Sequence, residues 1–145
     1  MTSQSKPAAL QLRVGTDLVK VATVAESIAR FGARYLERIY TASEIAYCQE
    51  SAAEMHRRFA ARFAAKESVL KVLRPDQHWL DWRQIEIIKA PGGWCEVQLH
   101  GPAEQLARHA GVVALSLSVS HEDGYALAMV AATICAEHES HDAMG

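Results

Sequence analysis

Residues 62–71 read Arg62-Phe63-Ala64-Ala65-Lys66-Glu67-Ser68-Val69-Leu70-Lys71 and lie within a predicted helix of about residues 55–73. The run is rich in good helix formers and contains neither Gly nor Pro. Its apolar positions recur at helical spacing and form one stripe: Met55, Phe59, Phe63, Leu70 and Leu73. This stripe predicts a helix that packs on the core, with the rest of the chain arranged around it.

Some charged side chains lie at the edge of this apolar stripe and others lie within it or beside it. Glu67 is at the edge, and Lys71 follows one turn later in the favourable acid-before-base order. Lys66 and Arg62 lie within or beside the stripe, where a solvated helix rarely carries two cations. For the helix alone two interpretations stay open. Either Glu67 and Lys71 form a weak surface pair while Lys66 extends its ammonium to water, or these side chains belong to a functional site.

The composition is that of a single domain with a real core, since the chain has 145 residues of which 50% are apolar and 22% charged. Its net charge of -2 argues against general nucleic-acid binding. Cys48, Cys95 and Cys135 lack metal-ligand spacing and indicate reduced thiols in a cytoplasmic protein. No apolar run is long enough to span a bilayer, and there is no signal-peptide core, so we expect no membrane partner.

Near the N-terminus, a polar stretch over residues 1–9 predicts a flexible tail, and the alternation over residues 10–14 predicts a short strand. Gly15 permits a backbone change, and Asp17 follows at the predicted strand end. Rigid strand ends often present catalytic side chains. A lone Asp in such a place is nevertheless more often a turn or cap residue.

A second helix is predicted over residues 21–40, and Arg30, Arg34 and Arg38 recur on it at intervals of four. A column of like charges costs helix stability. It therefore indicates either an acidic partner or a solvated face eased by neighbouring glutamates. Thr41-Ala42-Ser43-Glu44 then has the form of a capping box and begins a short helix.

The second half of the chain is dominated by strand patterns. The predicted strands are residues 85–89, 94–99, 113–119 and 125–134. Gly101-Pro102 opens a short helix that Gly111 closes, and Glu122-Asp123-Gly124 forms a hairpin turn. The final strand is nearly all apolar, which predicts a central strand buried on both faces. We expect one domain over residues 10–135 and a flexible tail over residues 136–145.

The chemistry-bearing residues are Asp17, Glu67 and Lys71, together with Ser118-Val119-Ser120-His121 at another predicted strand end. Two carboxylates with few other hard ligands suit Mg2+ and suit Zn2+ poorly. Arg62, Lys66 and Lys71 supply cations for phosphate oxygens. The chain has no GxxxxGK[ST] loop, no GxGxxG run and no serine in a nucleophile elbow.

Three motifs occur in order: Val14-Gly15-Thr16-Asp17-Leu18-Val19, then Arg62-Phe63-Ala64-Ala65-Lys66-Glu67-Ser68 with Lys71 following, then Ser118-Val119-Ser120-His121 ahead of the last apolar strand. Thr41-Ala42-Ser43-Glu44 and Gln84-Ile85-Glu86-Ile87 fit the intervening pattern. In this order and at this length, the chain resembles the holo-[acyl-carrier-protein] synthase family, the short type of 4'-phosphopantetheinyl transferase. The resemblance covers about residues 10–135.

The resemblance implies an enzyme that moves the 4'-phosphopantetheine group of coenzyme A to a serine of apo-acyl carrier protein and releases adenosine 3',5'-bisphosphate. It implies that Asp17 and Glu67 hold Mg2+, that Lys71 contacts the pyrophosphate, and that Arg62 and His121 bind the nucleotide end. The base that accepts the serine proton is less certain, and Glu67 is the candidate.

The resemblance also implies a compact α+β fold, with an antiparallel-rich sheet packed against a long helix. It implies a homotrimer with its sites between subunits, and an acidic carrier protein as partner. The carrier is then expected to dock on Arg30, Arg34 and Arg38.

Two positions depart from the family pattern. Thr23 stands where the family usually has an Arg that grips the carrier, which leaves carrier choice open. Gly93-Trp94-Cys95 replaces the Gly-x-Pro turn beside coenzyme A, so Gly93 is expected in an altered pocket wall. The alternative is a non-catalytic coenzyme A-binding or carrier-docking protein that keeps the fold, although such a protein would not need the carboxylate pair.

Overall fold

A long helix packs across one face of a three-stranded antiparallel sheet in the computed structural model, which describes residues 9–76 and 79–135. The helices are α1 (Val21–Phe31), α2 (Ala33–Ile39), α3 (Ala42–Gln49), α4 (Met55–Leu73) and α5 (Pro102–His109). The strands are β1 (Leu10–Lys20), β2 (Ile85–Lys89), β3 (Cys95–Leu99), β4 (Val112–Glu122) and β5 (Tyr125–Cys135). The predicted α+β class is confirmed. The predicted tails lie outside the described residues, apart from Ala9.

The main sheet has the order β1-β5-β4, so the last strand is central, while β2 and β3 form a separate hairpin. The β4–β5 turn is the predicted one, and both Asp123 (φ 46°) and Gly124 (φ 80°) adopt the positive φ that a tight hairpin requires. Asp17 pairs with Ala128, which in turn pairs with Val119. Side chains paired in this way point to the same face of the sheet, and that face packs on α4.

Helix α4 has the predicted bounds, but more of its surface is buried than the apolar stripe suggested. Met55, Phe63 and Leu70 are only half-buried. Phe59 and Leu73 of the stripe are fully buried, as predicted. The other fully buried side chains of α4 are smaller or polar: Ala60, Ala64, Ala65, Lys66, Ser68, Val69 and Val72. The sheet covers one side of α4, and helices α1 and α3 cover another. Small side chains let these elements approach the helix closely.

The interpretation in which Lys66 extends its ammonium to water is wrong, and so is the prediction that Lys66 supplies a cation for phosphate oxygens. Its side chain is completely buried, and its Nζ lies 2.7 Å from Oε1 of the buried Glu44 on α3. Glu44 also completes the predicted capping box with Thr41. The pair therefore joins α3 to α4 inside the core.

The predicted helix over residues 21–40 is two helices, because the chain turns at Gly32, with φ 57° and ψ -133°. A backbone with this positive φ is accessible to Gly and strained for other residues. Arg30 consequently lies in the last turn of α1, whereas Arg34 and Arg38 lie on α2. The expected single column of three arginines is therefore wrong.

Two strand predictions also need correction. Strand β1 continues past Asp17 to Lys20, so this carboxylate lies within the strand and not at its end. Strand β5 is central but buried on only one face of the isolated chain. Ala126, Ala128 and Val130 are buried, whereas Leu127 and Met129 are more than 40% exposed. Helix α4 covers the inner face, and nothing within the described chain covers the outer one.

No helix in residues 9–76 and 79–135 combines the length and the apolar character needed to cross a membrane.

Candidate active site

Asp17, Glu67 and Lys71 lie together where β1 crosses α4. Lys71 Nζ is 3.5 Å from Asp17 Oδ1 and donates a 2.6 Å hydrogen bond to the carbonyl oxygen of Thr16. Burial raises the pKa of the Glu67 carboxyl, the charge of Asp17 raises it further, and Lys71 opposes both effects. The ion pair of Lys71 is thus with Asp17 on the strand, and the three groups form one electrostatic cluster.

Two small residues allow the strand to approach the helix closely enough for this cluster to form. A Cβ atom on Gly15 would lie 2.2 Å from the carbonyl oxygen of Ser68 and 3.1 Å from Cβ of Lys71. Ser68 Oγ donates to the carbonyl oxygen of Ala64 within α4 and to that of Ala128 on β5. Gly15 therefore brings Asp17 against Lys71, and Ser68 fixes the helix on the sheet.

A cavity of about 480 Å³ opens beside the N-terminal half of α4. This volume is within the range of small-molecule sites. The lining residues are Tyr47, Glu54, Arg57, Arg58, Ala61, Arg62, Ile87, Lys89, Gly93, Cys95, Val119 and His121. Four of them are Arg or Lys side chains and one is acidic, and that acid, Glu54, is paired with Arg57. The cavity is therefore suited to an anionic ligand.

Arg62 is the most buried of the cavity cations, with only 5% of its surface exposed. Its Nε is buried and has no hydrogen-bond partner within the described part of the chain. A buried guanidinium nitrogen without a partner costs free energy. Such an atom is a natural donor for a ligand that enters the cavity.

His121 on β4 and Gly93 between β2 and β3 also line the cavity. Burial lowers the pKa of His121, and the nearby positive charge of Arg57 lowers it further. His121 is consequently neutral at pH 7, where its ring can accept or donate a hydrogen bond. Gly93 has φ 95° at the tip of the β2–β3 hairpin, which places the Gly93-Trp94-Cys95 segment beside the cavity.

The structure divides the predicted residues into three groups. Asp17, Glu67 and Lys71 form the cluster, whereas Arg62, Gly93 and His121 line the cavity. Lys71 is not among the lining residues of the cavity. The third group, Arg30, Arg34 and Arg38, is exposed on α1 and α2.

Arg58, Lys89 and Tyr47 are among the cavity residues that were not predicted from the sequence. Arg58 precedes Arg62 by one turn of α4, so helical spacing was a usable signal. Lys89 shares the two-residue period of Ile85 and Ile87, which places it on the same face of β2. Tyr47 on α3 had no such signal, because its position depends on how α3 packs on α4.

The chain is similar to known proteins over most of its length. A family model described as the 4'-phosphopantetheinyl transferase superfamily matches residues 13–130. A holo-[acyl-carrier-protein] synthase of Koribacter versatilis is 46% identical over 120 residues, which are 82% of this chain and 95% of that protein. A synthase of the same name from Dehalococcoides mccartyi is 38% identical over 121 residues, covering 83% and 98%.

Solved structures agree with these sequence matches. The crystal structure of Helicobacter pylori holo-[acyl-carrier-protein] synthase in complex with coenzyme A has a TM-score of 0.72 at 29% identity, covering 83% of this chain and 99% of that one. The family match over residues 13–130 includes both the carboxylate cluster and the residues that line the cationic cavity. The chain therefore belongs to the 4'-phosphopantetheinyl transferase superfamily, as an enzyme of the holo-[acyl-carrier-protein] synthase family.

Proposed function

We propose that the chain transfers the 4'-phosphopantetheine group of coenzyme A to a serine of apo-acyl carrier protein in a Mg2+-dependent reaction. The observation that carries the proposal is the position of the Asp17–Glu67–Lys71 cluster relative to the cationic cavity. Arg62 and Glu67 are five residues apart on α4, a rise of about 7.5 Å along the helix axis. The helix therefore carries a carboxylate–lysine cluster suited to Mg2+ and a pyrophosphate, and a cationic cavity suited to a phosphate. This arrangement fits a donor that carries a pyrophosphate and a separate 3'-phosphate.

Asp17 and Glu67 fit a Mg2+ site by their chemistry. Both are hard oxygen donors, and the charge of Asp17 acts on the Glu67 carboxyl. Within residues 9–76 and 79–135, no three His, Cys, Asp or Glu side chains gather as a metal-binding group. A two-carboxylate set leaves coordination positions for water and substrate oxygens, as Mg2+ sites in phosphoryl-transfer enzymes do. When bound, the ion would neutralise charge on the pyrophosphate.

The residues of the chain then act on the two ends of coenzyme A. Lys71 offers a half-exposed ammonium to the pyrophosphate, while Arg62 and His121 hold the nucleotide end. Glu67, directly or through a water, takes the proton of the carrier serine.

The transfer balances as a displacement at phosphorus. The serine Oγ forms a bond to the phosphorus that bears the pantetheine arm, and the bond from that phosphorus to the bridging pyrophosphate oxygen breaks. The bridging oxygen leaves with adenosine 3',5'-bisphosphate, and the serine proton is accepted by the base. Alignment of the two substrates by the chain supplies much of the rate.

Mass spectrometry of an apo-carrier incubated with the protein, coenzyme A and Mg2+ tests the proposal. We expect a mass increase of one phosphopantetheine, abolished by chelator and by Asp17→Ala or Glu67→Ala, while both variants keep the wild-type circular dichroism. Coenzyme A binding without transfer to any carrier would favour the alternative, a non-catalytic coenzyme A-binding protein. Full activity of both variants would refute the metal assignment.

The outer face of the main sheet supports the proposed homotrimer with sites between subunits. Its exposed apolar side chains are Leu10, Leu12, Val14, Leu18, Tyr125, Leu127 and Met129. The outward positions of β4 are mainly serines. The charged side chains on this face are Lys20 and Glu122, which have opposite signs and flank Tyr125 at one end of the sheet. Such a face does not repel a second copy of itself, so other copies of the chain are the expected occupants. Analytical ultracentrifugation should give three copies for the wild type and a smaller species for Leu127→Asp.

The acidic carrier is proposed to dock on the exposed arginines. Arg34 and Arg38 share one face of α2, and Arg30 lies at the end of α1, where its guanidinium is 5.2 Å from the Phe31 ring. These cations suit steering of an acidic partner. A cytoplasmic location, expected from the reduced thiols, is part of the same proposal.

A further inference from the structure

The ring of Tyr47 on α3 is surrounded by cations in the wall of the cavity. The guanidinium carbons of Arg62 and Arg58 lie 4.1 Å and 4.4 Å from the ring centroid, and Lys89 Nζ lies 5.5 Å from it. Two of these cations come from α4 and one comes from the end of β2. Tyr47 on α3 therefore contacts cations from two other elements, α4 and β2.

Three cations in such a small space repel one another unless something offsets the repulsion. The electron-rich face of an aromatic ring attracts cations within about 6 Å. Two further contacts hold Arg58. Its Nη1 donates a 2.9 Å hydrogen bond to the carbonyl oxygen of Tyr47 and lies 3.8 Å from Oε2 of Glu50. Arg62 has no ion pair within the described residues, and its buried Nε is without a partner. The orientation of Arg62 thus depends on the ring.

A neutral ring and a carboxylate hold an arginine with different consequences. A carboxylate would occupy the N–H donors of the guanidinium and cancel its charge. An aromatic face contacts the flat side of the guanidinium and leaves the in-plane N–H groups available. A cation that is held by a ring remains able to bind a phosphate.

We infer that Tyr47 is a positioning residue that holds Arg58 and Arg62 ready for the phosphate groups of the nucleotide end. The inference rests on the proposed function, because the proposed donor supplies those phosphates. Tyr47 acts through the two arginines and takes no part in the phosphoryl transfer itself.

Calorimetric binding of adenosine 3',5'-bisphosphate to the wild type, Tyr47→Leu and Tyr47→Phe tests the inference. Tyr47→Leu removes the aromatic face and should weaken binding about 10-fold, the scale expected for loss of partly buried cation–ring contacts. Tyr47→Phe keeps the ring and should restore binding to within about twofold of the wild type. Adenosine, which carries no phosphate, is the matched ligand, and its weaker binding should be the same in all three proteins.

A series of fluorinated phenylalanines at position 47 separates the electronic effect of the ring from any effect of misfolding. Phenylalanine and its mono-, di- and trifluorinated forms have nearly the same shape, but each fluorine withdraws electron density from the ring. Affinity for the bisphosphate should fall stepwise along the series. A flat series, or equal affinities of Tyr47→Leu and the wild type, would overturn the inference while leaving the proposed function intact. Absence of bisphosphate binding by the wild type would overturn both.

Discussion

The buried pair between Lys66 and Glu44 predicts a large loss of stability for Lys66→Met. The ammonium of Lys66 donates three hydrogen bonds, of 2.7 Å to Glu44 Oε1, 2.6 Å to the carbonyl oxygen of Ile85 and 3.1 Å to that of Trp82. Glu44 Oε2 in turn accepts a 3.0 Å bond from the amide of Ile87. This network joins α3, α4 and β2, so its loss acts on the core and not on one surface contact.

The magnitude follows from the charge that the substitution leaves behind. The side chains of Lys66 and Glu44 are 0% and 1% exposed, so Lys66→Met leaves a carboxylate buried without its cation. Removing one partner of a buried pair costs about 3–5 kcal/mol. That is a large part of the roughly 5–15 kcal/mol that stabilises an ordinary domain. We expect a fall in Tm of roughly 10–15 °C for a chain of this size.

Urea unfolding at one fixed protein concentration measures this loss, since assembly makes apparent stability depend on concentration. Lys71→Met is the matched control, because it is the same substitution on the same helix at a side chain that is 52% exposed. The control should lose less than about 1 kcal/mol. The double variant Lys66→Met with Glu44→Gln removes both charges of the pair. It should be more stable than Lys66→Met alone by about 1–3 kcal/mol.

Two results would contradict this reasoning. A loss for Lys66→Met as small as that for Lys71→Met would show that the buried ammonium contributes little. A double variant no more stable than Lys66→Met would show that the unpaired carboxylate is not the cause of the loss.

Three further predictions concern surface and cavity residues. Arg57→Ala should raise the pKa of His121 part of the way towards its ordinary value, since burial is the larger cause of the lowered pKa. NMR titration of the ring measures this pKa, and an unchanged value would contradict the prediction. Because the folded chain binds this proton more weakly than the unfolded chain, stability should fall as the pH drops from about 6.5 through the lowered pKa, and less so in Arg57→Ala. Arg74 ends α4 with φ 50° and ψ 65°, so Arg74→Gly should add roughly 0.5–1 kcal/mol in urea unfolding, and a loss would show that the residue is unstrained there. Arg34→Glu should raise the KM for an acidic carrier several-fold and leave that for coenzyme A nearly unchanged, and an unchanged carrier KM would place docking elsewhere.

Features that depend on residues close together in the sequence could be predicted from the sequence alone. The bounds of α4, the capping box at Thr41 and the turn at Glu122-Asp123-Gly124 all follow from local propensity, spacing and backbone freedom. The family motifs also identified Asp17, Glu67 and Lys71 as one group before the structure brought them together. Local chemistry was sufficient in these cases because the tertiary contacts favour the same local structure.

Tertiary packing decided the remaining features. The sequence pattern could not show that Lys66 pairs with Glu44, because the two residues are 22 positions apart and meet only when α3 packs on α4. The same holds for Tyr47 with Arg62, and for Asp17 with Lys71 across the close contact at Gly15. Whether a charge is buried or solvated depends on which element covers it. That is a property of the assembled layers, which the spacing of residues along one helix does not contain.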